Sequence, residues 1–238
     1  MTPKFSGFSP DALAFLRALK RNNHREWFKP RQEKHDTLIK MPMLELVEAL
    51  NHEFARFAPD YITPAPKAVY RIYRDTRFSK DKTPYKTHIA AIFPRHSAVK
   101  REGAVFYFHF TEKELLAFGG VYAPDREELL AYRNLLQEHY EEFQAILADK
   151  QLKRLTGGLQ GEQLSRMPKG FLENHPAEAL LRKKQWYLEC SLDVKLVNSP
   201  KMVTELARRF AAMAPMIEFL NRPFVKKPAA RKMLFSAF

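Results

Sequence analysis

The spacing of apolar residues predicts helices at both ends of the chain. Ser9, Pro10 and Asp11 form a helix start, because a hydroxyl cap, an early proline and an acid all suit the first turn. Apolar residues then recur at helical spacing, and Asn22 and Asn23 favour a break after them. The same reasoning predicts helices over residues 26–39, 42–57 and 125–147, a short helix from residue 176, and a last helix over residues 199–220.

The middle of the chain has the pattern of strands. Short β-branched or aromatic runs lie between turn signals at residues 69–73, 87–93, 104–110 and 115–118. Their short connections predict an antiparallel β-meander, and a further strand is expected over residues 186–192. Helices before and after this central meander indicate an α+β fold. We expect a single domain over residues 1–224, followed by a basic, flexible tail over residues 225–238.

Composition narrows the class of protein. A hydrophobic content of 45% in 238 residues fits a packed globule, and no apolar run approaches the ~20 residues that span a bilayer. The amino terminus lacks the apolar segment of a signal peptide, and the single cysteine, Cys190, can form no intrachain disulfide. We therefore expect a cytoplasmic protein with no membrane span and no disulfide-linked partner, in which Cys190 is a small buried residue.

The net charge of +13 is concentrated in two places. Residues 67–101 carry ten basic side chains and two acids, and residues 222–238 carry five basic side chains and no acid. The rest of the chain carries 25 basic and 25 acidic side chains and is therefore neutral. Charge that is localised in this way attracts anions better than the same charge spread evenly.

Residues 71–88 contain six cations, two acids, several hydroxyl groups and a histidine. Such a density of cations favours a site for phosphate or carboxylate, since a core cannot hold these groups unpaired. Asp75, Asp81 and His88 are the catalytic candidates, as groups that orient a ligand or move a proton. The residues predicted to bind the anion are Arg71, Arg74, Arg77, Ser79, Lys80, Lys82 and Lys86.

A structural ion-pair network is the alternative for this segment, with Asp75 and Asp81 each neutralising a nearby arginine. Two acids cannot pair six cations, which favours the anion site. Ser79 is by default a turn residue, because its S-x-x-K match lacks the helical setting and companion motifs of serine–lysine enzymes.

Other candidates lie outside the segment. The eight histidines have no metal-binding spacing, so no metal site is expected, although His88 and His109 could face each other across neighbouring strands. His109 itself is predicted to be a half-buried sheet residue. Trp27, Tyr85, Arg166 and Lys169 are accessory candidates for the anion site, and for Trp27 a core role is equally open.

The residues support three functional hypotheses, and none of them specifies a cofactor. The first is a protein that binds an anionic small molecule, extending to an enzyme that acts on a phosphorylated compound. The second is a nucleic-acid-binding protein, in which Tyr70, Tyr73, Phe78 and Tyr85 stack on bases and the basic tail follows the backbone. The third is a scaffold or partner-binding domain without a ligand of its own.

The chain resembles an uncharacterised family found in bacteria and fungi and known as domain of unknown function twenty-four sixty-one. The resemblance runs from about residue 5 to residue 224 and leaves out the basic tail. It implies that the charged segment belongs to the shared domain, and it implies no particular activity. The motifs that carry it are F-L-x-x-L-x-x-N-N-x-R-E-W-F at 15–28, R-D-x-R-F-S-K-D-K-T-P-Y-K-T-H at 74–88, G-G-x-Y-x-P at 119–124 and P-K-G-F at 168–171.

Overall fold

The computed structural model describes residues 5–96 and 103–225. Helices precede and follow a four-stranded antiparallel sheet, so the predicted α+β class is confirmed. The α-helices are α1 (Pro10–Arg21), α2 (Arg25–Phe28), α3 (Gln32–His35), α4 (Met41–Phe57), α5 (Ala65–Ala68), α6 (Arg126–Glu138), α7 (Tyr140–Ala148), α8 (Lys150–Thr156), α9 (Glu178–Leu181) and α10 (Lys201–Asn221). The strands are β1 (Ile89–Phe93), β2 (Val105–Phe110), β3 (Leu115–Val121) and β4 (Trp186–Leu192). The basic tail at residues 226–238 lies outside the described residues.

The sheet has the order β1-β2-β3-β4, and each pair is antiparallel. The expectation of a strand at residues 69–73 is wrong. That segment touches the sheet through an isolated bridge between Val69 and Ala91 and a bond from the Tyr70 N–H to the Ala90 carbonyl. It then turns away, because Tyr73 pairs with Tyr85 instead of with β1. The fourth strand is β4, which joins β3 after a long helical connection.

The helix that follows α1 is broken into several short pieces. A 3₁₀ turn at Lys29–Arg31 separates α2 from α3, and a π turn at Asp36–Lys40 joins α3 to α4. In the π turn the Met41 N–H donates to the Asp36 carbonyl, five residues back. The predicted long helix over residues 125–147 is likewise divided, into α6 and α7. Three further 3₁₀ turns among the described residues occupy Pro59–Tyr61, Val194–Asn198 and Arg222–Phe224.

The core lies on one face of the sheet. Along β2, buried Phe106, Phe108 and Phe110 alternate with half-exposed side chains. Helix α10 packs on this face at Gly119, where an added Cβ would lie 2.8 Å from both Ile217 and Met213. Residues on the opposite face of β2 and β4 remain partly or fully exposed: Val105, Tyr107, His109, Tyr187, Glu189 and Ser191. We call this second surface the open face.

Asn221, at the end of α10, is a fully buried polar residue that ties three parts of the fold together. Its side chain accepts a hydrogen bond from the Ala104 N–H at 2.8 Å and donates to the Ala104 carbonyl at 2.8 Å. It also donates to the Tyr61 hydroxyl at 2.7 Å. These bonds fix the residue before β2 and the end of α10 against the 3₁₀ turn Pro59–Tyr61 that follows α4, because a buried amide with every partner in place specifies one arrangement. Among the described helices, none is both long and apolar enough to cross a membrane.

Candidate anion-binding pocket

The charged segment forms a hairpin-like excursion at the β1 edge of the sheet. Its two arms are held by a bond from the Arg74 N–H to the Pro84 carbonyl at 2.9 Å and one from the Lys86 N–H to the Ile72 carbonyl at 2.8 Å. Tyr73 and Tyr85 form the bridge between these bonds. The loop that joins the arms, residues 75–83, therefore projects away from the sheet.

Asn23 fastens this hairpin to the helical layer. Its side-chain amide donates to the Tyr85 carbonyl at 2.9 Å, and its side-chain oxygen accepts from the Tyr85 N–H at 3.1 Å. The Tyr85 ring is 3% exposed and packs against Phe28 at a ring distance of 4.2 Å. Two motifs that lie 62 residues apart in sequence thus meet at one pair of hydrogen bonds.

The arginines at the loop are neutralised within it. Arg77 donates to the Asp75 carboxylate through Nε at 3.0 Å and Nη2 at 2.7 Å, and Arg74 forms a salt bridge with Asp81. Bonding from Arg77 lowers the pKa of Asp75 to about 2. Bonds from the Thr83 N–H and from Arg74 lower the pKa of Asp81 to about 2. The ion-pair network therefore accounts for these two arginines.

The remaining loop residues point to a structural role or lie in solvent. Lys82 donates to the Thr76 carbonyl at 2.9 Å, and Lys80 is exposed. The Ser79 N–H also donates to the Thr76 carbonyl, at 3.3 Å, which fits the turn interpretation of Ser79. None of these three lines the pocket described next.

A pocket of about 410 Å³ lies beside this hairpin, at the β1 edge. Residues between 28 and 44 line one side of it, residues 66 and 69–73 line the other, and His88 and Ile89 complete the lining. Phe28, Ile39 and Met43 contribute apolar surface. This volume lies within the range of about 300–1,000 Å³ that small-molecule sites occupy.

The π turn decides which helical side chains reach the pocket. His35, Asp36, Ile39 and Lys40 all line it, and they lie in or directly before the turn Asp36–Lys40. A π turn is wider than an α turn and rotates the residues that follow it, which is why such turns recur at functional sites. The sequence predicts one helix that ends near residue 39 and another that begins at residue 42, and nothing in its apolar spacing identifies these four residues as a group.

Two polar groups from the charged segment line the pocket, Arg71 and His88. Within residues 5–96 and 103–225, no carboxylate lies within salt-bridge distance of Arg71, although Asp75 attracts it at longer range. Burial, with smaller effects from His109 and Lys86, lowers the pKa of His88. The pocket therefore presents a guanidinium without a salt-bridge partner among the described residues, beside an imidazole that favours its neutral form.

Lys86 adds positive charge close to the pocket. Its Nζ lies 4.6 Å from the centre of the Tyr70 ring, and no carboxylate in the described part of the chain pairs with it. Burial and the neighbouring Arg71 lower the pKa of Lys86. A bound anion would relieve the repulsion between these two cations.

A histidine–aspartate pair on the helical side of the pocket was not among the predicted site residues. His35 is 7% exposed, and its Nδ1 lies 3.0 Å from the Asp36 carboxylate. Burial lowers the pKa of His35, and the hydrogen bond to Asp36 opposes that shift. Lys40 approaches the same carboxylate at 3.8 Å.

The accessory candidates lie away from the pocket lining. Trp27 packs against Phe15 at 5.5 Å and carries the Arg31 guanidinium over its ring at 4.8 Å, which supports its core interpretation. Arg166 and Lys169 are exposed on the loop between α8 and α9. Buried Tyr85 supports the pocket through Phe28.

The two remaining sequence observations concern single residues. His88 and His109 do face each other, with ring centres 5.7 Å apart, but no group of three or more metal-ligating side chains exists among the described residues. Cys190 lies on β4 and is half-buried, not fully buried as predicted, and its partial burial raises the pKa of the thiol.

Comparison with known proteins places the chain by family alone. No curated protein and no solved structure gives a match. A family model described as "Conserved hypothetical protein (DUF2461)" matches residues 11–219, which include the hairpin, the pocket and the whole sheet. The chain belongs to this family.

Proposed function

We propose that the pocket binds a small organic anion, a carboxylate or a phosphate ester, that has an apolar body. The observation that carries the proposal is Arg71, which lines the cavity without a salt-bridge partner among the described residues. A guanidinium makes bidentate, charge-assisted hydrogen bonds to either kind of anion. Lys86 strengthens the positive potential at the same place.

The apolar part of the lining supports a ligand larger than an inorganic ion. Phe28, Ile39, Met43 and Ile72 offer contacts to a ring or an alkyl chain. Burying such a group contributes about 25 cal/mol for each Å² removed from water. The charge at Arg71 then fixes the orientation of the ligand, as the few polar groups of a small-molecule site generally do.

Proton transfer, if the protein is an enzyme, falls in this proposal to histidines and not to the aspartates. Asp75 and Asp81 each have a pKa of about 2 and are engaged by arginines, so both stay ionised near neutral pH and are poor proton carriers there. His88 and His35 line the pocket and are biased toward the neutral imidazole, which is able to accept a proton. We also propose a cytoplasmic location, on the strength of the single cysteine.

Binding of simple probes tests the proposal. Phenyl phosphate and phenylacetate should bind and raise the melting temperature, whereas neutral phenylacetamide should not, and calorimetry gives the affinities. Arg71→Gln should weaken binding about 10- to 100-fold, since a charged hydrogen bond contributes about 1.5–3 kcal/mol. Arg77→Gln is the matched control, because Arg77 is engaged by Asp75 outside the pocket.

Two results would contradict the proposal. One is equal affinity for phenylacetate and phenylacetamide, which would remove the role of charge. The other is an equal loss in the Arg71 and Arg77 variants, which would assign the effect to overall charge and not to the pocket.

A further inference from the structure

The open face carries a row of aromatic rings that crosses the whole sheet. Tyr70 lies beside β1, Tyr107 on β2, Phe118 on β3 and Tyr187 on β4. Successive ring centres are 6.3 Å, 6.3 Å and 5.1 Å apart. Tyr122, just after β3, joins the row at 5.8 Å from Tyr187. The row thus runs perpendicular to the strands.

The exposure of these rings is graded. Phe118, in the centre, is 6% exposed and is covered by its neighbours. Tyr70 is 42% exposed and Tyr122 is 63% exposed, while Tyr107 and Tyr187 are half-buried. These aromatic side chains lie on the side of the sheet away from α10. They therefore bury less of their surface than they would in the core. A supported row of accessible rings is what a flat aromatic ligand stacks on.

Charge differs between the two ends of the row. At the β1 end, Lys86 lies over Tyr70, and Arg71 lies close enough to act on Lys86. Toward β4, the carboxylates of Glu189 and Glu162 both lie close enough to act on Tyr187. Near the middle of the row, Glu114 is engaged by His109 at 3.3 Å. The negative charge of a ligand therefore matches the β1 end of the row, whereas the rings toward β4 offer stacking contacts without a basic partner.

We propose that the open face binds single-stranded nucleic acid. Bases would stack on Tyr70, Tyr107, Tyr122 and Tyr187, and phosphates would lie along the basic β1 edge at Lys86. Stacking on aromatic side chains beside a positive edge is the usual means of binding single strands without reading their sequence. Four accessible rings provide for about four bases. A duplex fits poorly, because its bases are already stacked on each other.

This surface differs from the one expected from sequence. The sequence assigned the stacking role to Tyr70, Tyr73, Phe78 and Tyr85. Tyr85 is buried, and Phe78, at 95% exposed, lies on the loop at residues 75–83 and not on the open face. Of the four, Tyr70 belongs to the aromatic row. Tyr70 also lines the pocket, but Tyr107, Tyr122 and Tyr187 do not, so substitutions at these three test the row separately from the pocket.

Fluorescence anisotropy with the full chain tests the proposal. The probes are labelled oligo(dT) and oligo(rU) of about twelve nucleotides, at about 50 mM and about 200 mM salt. Tyr122→Ala should weaken binding about 5- to 150-fold, the cost of one lost base stack. Lys86→Gln should weaken binding and reduce the salt slope by about 0.7, the value for one phosphate contact on a single strand. The two oligonucleotides show whether the face prefers DNA or RNA.

Phe78→Ala is the matched control, because it removes an exposed aromatic side chain from the basic loop and leaves the open face intact. Tyr187→Ser gives a second test within the row, read together with its thermal unfolding curve so that a folding defect is recognised. Binding of phenyl phosphate in the pocket should stay unchanged in Tyr122→Ala, which separates this proposal from the previous one.

Several outcomes would overturn the proposal. Absence of binding at the lower salt concentration is one, and an equal loss in Phe78→Ala and Tyr122→Ala is another. Equally tight binding of a duplex would also contradict stacking on the open face. Removal of residues 226–238 that abolishes binding, together with an unaffected Tyr122→Ala, would move the interaction to the basic tail.

Discussion

Replacing Asn23 by alanine tests whether one side chain holds the charged hairpin in place. The Asn23 amide makes both of its contacts with the backbone of Tyr85, at 2.9 Å and 3.1 Å. Tyr85 is buried, so its N–H and carbonyl would lose their partner in a site that water reaches poorly. The substitution also leaves Phe28, the ring neighbour of Tyr85, next to a less constrained backbone.

The expected cost follows from these two bonds. Each neutral hydrogen bond contributes about 1 kcal/mol, and a buried group left unsatisfied costs about 1–3 kcal/mol, so the free energy of unfolding should fall by about 2–4 kcal/mol. For a chain of 238 residues this corresponds to a fall in melting temperature of roughly 4–16 °C. Urea unfolding followed by circular dichroism measures the first quantity, and calorimetry measures the second. Binding of phenyl phosphate should weaken as well, because the hairpin arm positions Arg71.

Asn22→Ala is the control for Asn23→Ala. The Asn22 side chain donates to the Ala18 carbonyl of the preceding helix at 2.9 Å, and it has no other hydrogen bond within the described residues, so its loss should cost about 0.5–1 kcal/mol. Equal destabilisation by the two substitutions would refute the reasoning, since it would show that the bonds to Tyr85 carry no special weight. A loss below about 0.5 kcal/mol for Asn23→Ala would refute it too, because that is the size of an ordinary surface effect.

Three further predictions concern burial and pH. Asn221→Ala should lower the free energy of unfolding in urea by about 3 kcal/mol or more, because it leaves the Ala104 N–H and carbonyl without their partner in the core and removes one hydrogen bond from the Tyr61 hydroxyl. Because the pKa of His88 is lowered, its contribution to stability is present above its ordinary pKa of 6.5 and is lost as the pH falls below that value. An NMR titration of His88 measures the pKa, and the pH dependence of unfolding in His88→Gln measures the contribution to stability. Asp75, with a pKa of about 2 against an ordinary 3.8, should keep its loop ordered above pH 3.8 and release it toward pH 2, which a carboxyl NMR titration and Asp75→Asn would show.

The elements that could be predicted are those in which local pattern and tertiary packing agree. Helix α1 begins within a residue of the start that Ser9 and Pro10 indicate. Strand β2 shows the period-two burial that its alternating aromatic residues predict. In both cases the apolar side of the element is also the side that meets the core, so the sequence contains the whole signal.

The segment at residues 69–73 shows where local pattern fails. Val69, Ile72 and two tyrosines give it high strand propensity, and the edge of β1 offers it a partner. The competing pairing of Tyr73 with Tyr85, held by Asn23, takes the chain away after residue 70. The choice between two partners of similar propensity depends on the contact between Asn23 and Tyr85, which are 62 residues apart, and no local window contains both.

The site was predictable in part, for a related reason. The sequence identifies the charged segment, but the geometry of the loop decides which of its cations form ion pairs. Asp75 pairs with Arg77 and Asp81 pairs with Arg74, because the turn places these side chains next to each other. The opposite side of the pocket comes from the π turn, which differs from an α-helix by one residue per turn and leaves no mark on the apolar spacing.

The pairing within the loop changes how the charge of the segment should be interpreted. Six cations and two acids give a net charge of +4, and the pairing of Arg74 and Arg77 removes charge from the loop but none from the pocket. Arg71 and Lys86, which have no carboxylate partner in the described part of the chain, lie on the two arms of one hairpin. The bond from the Lys86 N–H to the Ile72 carbonyl joins these arms. The positive charges of Arg71 and Lys86 repel each other. The backbone bonds between the arms, and the two bonds from Asn23 to the Tyr85 backbone, hold the arms together against this repulsion. An anion that binds between them would remove that repulsion, and the ion-paired loop beyond them then serves to close the hairpin that keeps the two cations together.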